Sequence, residues 1–378
     1  MTRRSGVDRA LVIGGGFSGL SAAIMLARAG IVVDLVERSP AWSMDGAGIS
    51  LGAATLRALN SVGVLDRFLE AGYGGDGTDI RTPTGVLIAQ LPTPRLVAPD
   101  IAGNGAIMRP LLGGILVDAM IAAGVQARLG TAITELDDAG DAVQVSFMDG
   151  TTGRYDLVVA ADGLYSATRR RLFPDAPEPH FSAQGAWRAV VPRPPEVVRT
   201  TVWVGADAKV GVNPVSQDQM YLFVNESRGA NERVPDAELL PRLRALVEPI
   251  ADPLMRTVLE SLGEDSLVLY RPMDNLLLPL PWHRGRVVLI GDAAHATTPH
   301  LASGAGIGIE DAIVLAEELA AATSLETALS AFEARRWERC RLVVENSARL
   351  GILEAMPDAE AEFTRLQGES YRALAAPI

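Results

Sequence analysis

Residues 9–37 read RALVIGGGFSGLSAAIMLARAGIVVDLVE. The apolar run 9–14 ends on glycine and predicts a buried strand. Residues 17–29 predict a helix that Gly30 stops, and the β-branched run 31–37 predicts a second strand. A strand–turn–helix–strand unit of this kind opens a doubly wound parallel sheet, which makes the chain α/β. Within the unit, Gly14-Gly15-Gly16-Phe17-Ser18-Gly19 is a GxGxxG element in the strand-to-helix context that gives the pattern its meaning. Gly14 permits the tight turn, Gly16 lets backbone approach a pyrophosphate, and Gly19 lets helix and strand pack closely. The helix start adds unpaired N–H groups and a partial positive charge that suit phosphate. Glu37 ends the second strand, eighteen residues after Gly19. A carboxylate there accepts hydrogen bonds from an adenosine ribose and repels a 2′-phosphate, so the unit suits FAD or NAD rather than NADP.

Further along, two more apolar runs predict buried strands, 155–160 (YDLVVA) and 286–291 (RVVLIG). Arg109-Pro110 opens a helix that runs to Gly124, with proline suited to its first turn. Residues 132–161 read as a meander with turns at 137–141 and at Asp149-Gly150. Six prolines fall within 174–195 and suggest a crossing between domains. Alternating strands fill about 184–270, with a helix near 237–247. Helices follow at about 306–322 and 325–353. The nucleotide-binding fold is thus read as interrupted by a second domain and then resumed.

Composition narrows the function. The chain has 378 residues, 48% hydrophobic and 21% charged, which is globular material and not a disordered chain. Its net charge of −12 disfavours binding to a phosphate backbone, so no nucleic-acid partner is expected. Cys340 is the one cysteine, and the four histidines are scattered. Neither a disulfide framework nor a metal site is expected, and His295 with His300 lacks a third ligand. Arg3 and Arg4 before an apolar stretch imitate a secretory signal, but the ordered glycines at 14–19 favour a nucleotide loop. No other stretch has eighteen uninterrupted apolar residues, so a cytoplasmic protein without stable membrane association is expected.

Two later segments separate FAD from NAD. Residues 161–169 read ADGLYSATR and follow the strand YDLVVA. Residues 291–308 read GDAAHATTPHLASGAGIG and follow RVVLIG. With the first loop and Glu37, they match in order and spacing the group A flavoprotein monooxygenases, the class of para-hydroxybenzoate hydroxylase. Within that class the chain resembles small single-component enzymes such as salicylate hydroxylase, 6-hydroxynicotinate monooxygenase and FAD-dependent urate hydroxylase. The resemblance implies a GR2-type Rossmann-like FAD-binding domain over 1–75, 100–180 and 272–345. It also implies an inserted, mainly antiparallel substrate domain over 76–99 and 181–271, and a helical C-terminal segment over 346–378.

The same resemblance implies roles for individual residues. Asp292 contacts the ribityl chain, Asp162 lies near the pyrophosphate, and Arg109 reaches FAD. Phe17, Ser18, Arg38 and Ser50 join the cofactor contacts. The loop Ala302, Ser303, Gly304, Ala305 and Gly306 lays backbone N–H groups against the flavin's pyrimidine edge, where a helix N-terminus favours the anionic reduced flavin. Pro299 flanks the isoalloxazine ring, and His300 faces the substrate. On the substrate side Trp187, Lys209 and Tyr221 are the candidates. Lys209 stands where urate hydroxylase carries an arginine, which loses the planar fork and departs from that enzyme's pattern.

The implied reaction uses NADH or NADPH, O2 and a flavin C4a-hydroperoxide to hydroxylate a small aromatic or heteroaromatic ring, in a monomer or homodimer. A flavin-dependent reductase or dehydrogenase of the same fold and a tetracycline-type drug-inactivating monooxygenase are the alternatives.

Overall fold

The computed structural model describes residues 5–42, 46–204, 208–356 and 358–378; Arg3 and Arg4 lie outside the described residues. Its first layer is a six-stranded sheet. Strand Arg9–Ile13 is flanked in parallel by Val32–Glu37 and by Leu157–Ala160. Gln126–Leu129 and Val287–Leu289 extend the parallel set on either side, and His283–Arg284 adds an antiparallel edge. The register puts Val12 beside Leu35 and Val159, and Ala160 beside Leu289. These strands are apolar because they are covered, by helix Phe17–Arg28 among others, and Val143, Val145, Phe147 and Tyr155 of a small antiparallel sheet join them in the largest core cluster. Each fully buried Val, Leu or Ile adds about 1.5–3 kcal/mol. One end of this sheet therefore gathers the C-terminal ends of five neighbouring parallel strands, the edge where open α/β sheets bind ligands.

Helix Phe17–Arg28 leaves the first strand and packs on Gly304–Ala321. Gly30, at φ +80°, turns the chain back into the second strand, a backbone angle that glycine adopts without strain. Helix Arg109–Ala122 forms with Pro110 in its first turn. The 30-residue helix Leu325–Glu354 starts at Ser324, whose hydroxyl accepts from the Thr327 N–H. The last helix, Glu360–Ala375, docks on it through Asn346 and Ser370 at 2.9 Å.

The second large sheet has seven strands in the order Val268–Asn275, His180–Pro192, Gln219–Ser227, Lys209–Pro214, Thr200–Trp203, Thr78–Arg81 and Leu87–Leu91. All neighbours are antiparallel except Thr200–Trp203 with Thr78–Arg81. Residues 174–195 carry six prolines. A continuous 13-residue strand, His180–Pro192, crosses them. The prolines sit before its start and at its end, where no ladder N–H is needed, and a bulge between Phe181 and Gly185 absorbs Ala183 at φ +56°. Alternation gives this sheet two faces. Trp187, Ala189, Val191, Val210, Val212, Leu222 and Val224 form one core cluster, against which Leu239, Leu246 and Leu254 of the helices Asp236–Val247 and Pro253–Ser261 pack. Arg188, Tyr221, Phe223, Gly211 and Asn213 fall on the other face.

Two small antiparallel sheets complete the mixed α/β architecture, Ile133–Asp138/Val143–Phe147/Thr152–Tyr155 and Gly48–Leu51/Asn104–Met108/Tyr73–Gly75. Among the described residues no helix is long and apolar enough to cross a membrane.

Candidate active site

The three loop motifs leave the C-terminal ends of adjacent strands, so the topology converges segments that are far apart in sequence. Gly14 stands at φ +104°, and a side chain there would run into the Ala161 carbonyl at the start of the second motif. A Cβ on Gly19 would overlap the Gly14 carbonyl, whereas one on Gly16 would meet no protein atom within 4 Å. Gly14 and Gly19 are thus demanded by packing, while Gly16 opens on space. Gly16 is also the N-cap of its helix and gives no side-chain cap, so the first N–H groups stay free for an anion. Glu37 fixes this turn. Its Oε2 accepts from the Gly15 N–H and its Oε1 from the Ser39 N–H, both at 2.7 Å. Each oxygen keeps a lone pair for a further donor. Arg38 is exposed. The Ser18 side chain packs between Gly291 and Gly308, so what Ser18 can offer a ligand is its backbone.

In the second motif, Asp162 folds back on its own turn. It accepts from the Ser166 hydroxyl, the Thr168 N–H (3.0 Å) and the Thr168 hydroxyl (2.9 Å). Its side chain is thereby committed to loop shape, so the turn offers a ligand its backbone rather than that carboxylate. Buried Arg169 carries the motif to the third one, donating to the Ala293 carbonyl at 2.9 Å and to the Leu164 carbonyl at 2.7 Å.

The third motif holds two aspartate environments. Asp311, fully buried, accepts from the Gly291 N–H (2.9 Å), from His295 Nε2 (2.6 Å) and from Arg336 Nε (2.8 Å). Arg336 also pairs with Glu310 at 3.0 Å. Burial would push the Asp311 carboxyl up, but His295 and Arg336 hold it well below its usual range. Burial would likewise pull His295 down, and Asp311 and Cys340 outweigh it and hold it well above. His295, Asp311 and Cys340 bring ligating atoms within 4.8 Å of one another. The Arg336 guanidinium already supplies the positive charge that a metal would bring. Asp292, one residue past Gly291, makes no hydrogen bond among the described residues and opens to solvent, although protein lies on most sides. Desolvation pushes its carboxyl up, against the opposing pull of His295 and Arg109.

Pro299 begins a 3-10 turn, Pro299–Leu301, and is exposed. Ala302 follows at φ +48°, an angle that costs a non-glycine residue about 1–3 kcal/mol and that recurs where function fixes the backbone. The Ser303 hydroxyl donates to the Leu301 carbonyl at 2.8 Å and gives no cap to helix Gly304–Ala321. The N–H groups of Gly304, Ala305 and Gly306 therefore start an 18-residue helix without a side-chain acceptor. A Cβ on Gly306 would collide with Thr55. His300 is buried, with Nδ1 at 2.9 Å from the Thr298 hydroxyl and Nε2 at 2.8 Å from Glu354. The side chain is fully enclosed by protein, which corrects the expectation that His300 faces a substrate.

Lys209 ends in the same cluster, 3.3 Å from the other Glu354 oxygen and over the Phe363 ring. Together Lys209 and His300 hold the Glu354 carboxyl at about 2 against the opposing effect of burial. Trp187 is also corrected. It is 0% exposed within the core on the far side of the sheet, in a tilted ring contact 4.7 Å from Tyr270, with its indole N–H on Glu226 at 2.8 Å.

Tyr221 does lie on the near face, against Gly48, with its hydroxyl on Ser50. Ser50 accepts from Asn213 at 2.7 Å, so its hydroxyl clamps the small sheet to the large one. Arg109 lies over the Phe17 ring at 5.1 Å and within the field of Asp292. Arg188, absent from the residues expected, shares the face of Tyr221. The signal for it was strand alternation: with Trp187 turned inward, its neighbour must point the other way.

The open, unsatisfied groups therefore collect at one place: Gly16, Asp292, Arg109, and the start of helix Gly304–Ala321. They comprise backbone donors, one carboxylate and one guanidinium. That donor set fits a long ligand with phosphates, ribityl hydroxyls and an anionic ring edge.

Residues 8–347 match the family described as FAD binding domain. The chain is 33% identical to the aurachin C monooxygenase/isomerase of Stigmatella aurantiaca, over 94% of this chain and 92% of that protein. It is 31% identical to the 6-hydroxynicotinate 3-monooxygenase of Pseudomonas fluorescens, over 89% of each. The structure of Klebsiella pneumoniae HpxO complexed with FAD and uric acid superposes with a TM-score of 0.84 at 25% identity, covering 99% of this chain and 96% of that one. Mixed α/β architecture, loop geometry and these likenesses agree: the chain belongs to the FAD-binding group A aromatic monooxygenases and is a flavoprotein monooxygenase.

Proposed function

We propose that this enzyme takes electrons from NADH or NADPH and hydroxylates a small aromatic or heteroaromatic compound held between the flavin and the seven-stranded sheet. The observation that carries the reading is the convergence of unsatisfied donors and acceptors at the strand ends, facing a sheet whose near face carries Tyr221, Arg188 and Phe223. The named substrates of the relatives, aurachin C, 6-hydroxynicotinate and uric acid, support a heteroaromatic ring.

When bound, FAD supplies hydride acceptance and the activation of O2. The chain's own residues divide the remaining work. The free N–H groups at Gly16 and the helix behind it hold the pyrophosphate. Glu37 keeps the turn in place and accepts from the ribose. Asp292 would accept from the ribityl hydroxyls, and Arg109 would reach the cofactor from beside it. The N–H groups of Gly304 to Gly306 face the pyrimidine edge and favour negative charge there. Pro299 flanks the ring and helps to exclude water. We assign the cofactor domain to 1–75, 100–180 and 272–345, and the substrate domain to 76–99 and 181–271.

The test is NAD(P)H oxidation under air with a panel of hydroxylated and carboxylated aromatics, followed by mass analysis with labelled O2. One labelled oxygen atom per product is expected. Product formed without O2 would instead identify a reductase.

A further inference from the structure

Most arginines of the described chain that are not exposed hold a carboxylate or a carbonyl. Arg169 holds Ala293 and Leu164, Arg228 pairs with Glu226, and Arg336 pairs with Asp311 and Glu310. Arg109 and Arg188 are half-buried and hold neither. Burial pushes both guanidiniums down from their usual range, and the charge of Arg188 adds to the effect at Arg109. Arginine stays charged regardless, so these are two cations that no group of the chain answers fully.

The two differ in what lies beside them. Arg109 is against Phe17 and Gly46 and within reach of Asp292's field, on the side of the cofactor loops. Arg188 projects from the second strand of the large sheet, across from Phe223 in register and next on the same face to Tyr221, whose hydroxyl its charge pulls down against burial. Two other cations share this face by register: Lys209, already neutralised by Glu354, and Arg271, which is exposed on the edge strand and donates to the Tyr270 carbonyl at 3.4 Å. The charge left to receive a ligand on the substrate wall is therefore that of Arg188.

Building on the monooxygenase reading, we propose that Arg188 is the specificity-determining residue. Its guanidinium receives an anionic oxygen of the aromatic substrate, a carboxylate or a ring oxyanion, beside the Tyr221 hydroxyl. A planar fork suits either oxygen pair, and a desolvated cation gains most from an anionic partner. If the oxygen is on the ring, the same contact keeps the ring in its electron-rich form.

The test uses FAD-loaded enzyme and flavin difference spectra with two matched pairs, salicylate against salicylamide and tetrafluorophenolate against tetrafluoroanisole. In the wild type the anion of at least one pair should bind roughly tenfold tighter than its neutral partner, the scale of one charge-assisted hydrogen bond. The pair that responds tells carboxylate from oxyanion. Arg188→Gln should bring the preference to within about twofold while leaving FAD affinity unchanged, and Arg188→Lys should restore part of it. No anion preference in the wild type, a preference that survives Arg188→Gln, or FAD loss in that variant would each overturn the assignment. The monooxygenase reading fails separately, through absence of O2-dependent product in the wild type.

Discussion

Asp292 and Asp311 belong to the same corner of the molecule and have opposite surroundings. Asp311 is sealed in, holding Gly291, His295 and Arg336, and its carboxyl is pushed far down. Asp292 leans into open space without a hydrogen bond, and its carboxyl is pushed up. The first region is complete without a ligand and builds the loop. The second is incomplete and marks where the ligand goes. Sequence motifs do not separate the two kinds of residue; partners do.

The contrast can be broken from the satisfied side first. Arg336→Met removes the cation shared by buried Asp311 and Glu310, which keep only His295 and Arg339 respectively as cationic partners, and should destabilise the fold by about 3 kcal/mol, the lower end for a broken buried pair, read as a lower Tm. Gly19→Ala should cost about 1–3 kcal/mol through overpacking on the Gly14 carbonyl and should weaken FAD binding as well, since the loop must shift.

A pH series sharpens the comparison. His295 is raised in the folded protein, so its contribution is complete below about pH 6.5, the unfolded value, and is lost as pH rises through the folded value. Asp311 is depressed, so its contribution is present above about pH 3.9 and is lost only as pH falls well below that. The Tm of the protein should thus decline on the alkaline side, and His295→Asn should flatten that decline while lowering the Tm overall. The smallest effect is expected at Trp187→Phe. Losing the bond to Glu226 should lower stability by about 1 kcal/mol, with no change in KM for the aromatic substrate. A selective rise in KM would return Trp187 to the substrate wall.

Much of the parallel sheet and its three loops was legible in the sequence because glycine spacing and apolar runs are local signals. Gly14, Gly19 and Gly306 are each required by a contact that no other residue type could make without a shift. Side-chain destinations were less legible. Lys209, His300 and Glu354 meet from three distant segments, so nothing local told that Lys209 is neutralised or that His300 is enclosed. Asp162 sits in a motif tied to the cofactor, yet its carboxylate closes its own turn. Trp187 and Arg188 show the limit from the other side: alternation assigns them to opposite faces, but only the helices packed on one face tell which face is the core.

The distinction between satisfied and unsatisfied groups is tested most directly at Asp292. Wild-type and Asp292→Ala apoprotein are titrated with FAD by fluorescence, and the Tm of each apoprotein is measured in parallel. Losing a charge-assisted hydrogen bond to the ribityl chain should raise the FAD dissociation constant by roughly tenfold or more. The apoprotein Tm should stay the same, because Asp292 holds no partner in the chain. Unchanged FAD affinity, or a loss of stability without FAD, would contradict the assignment.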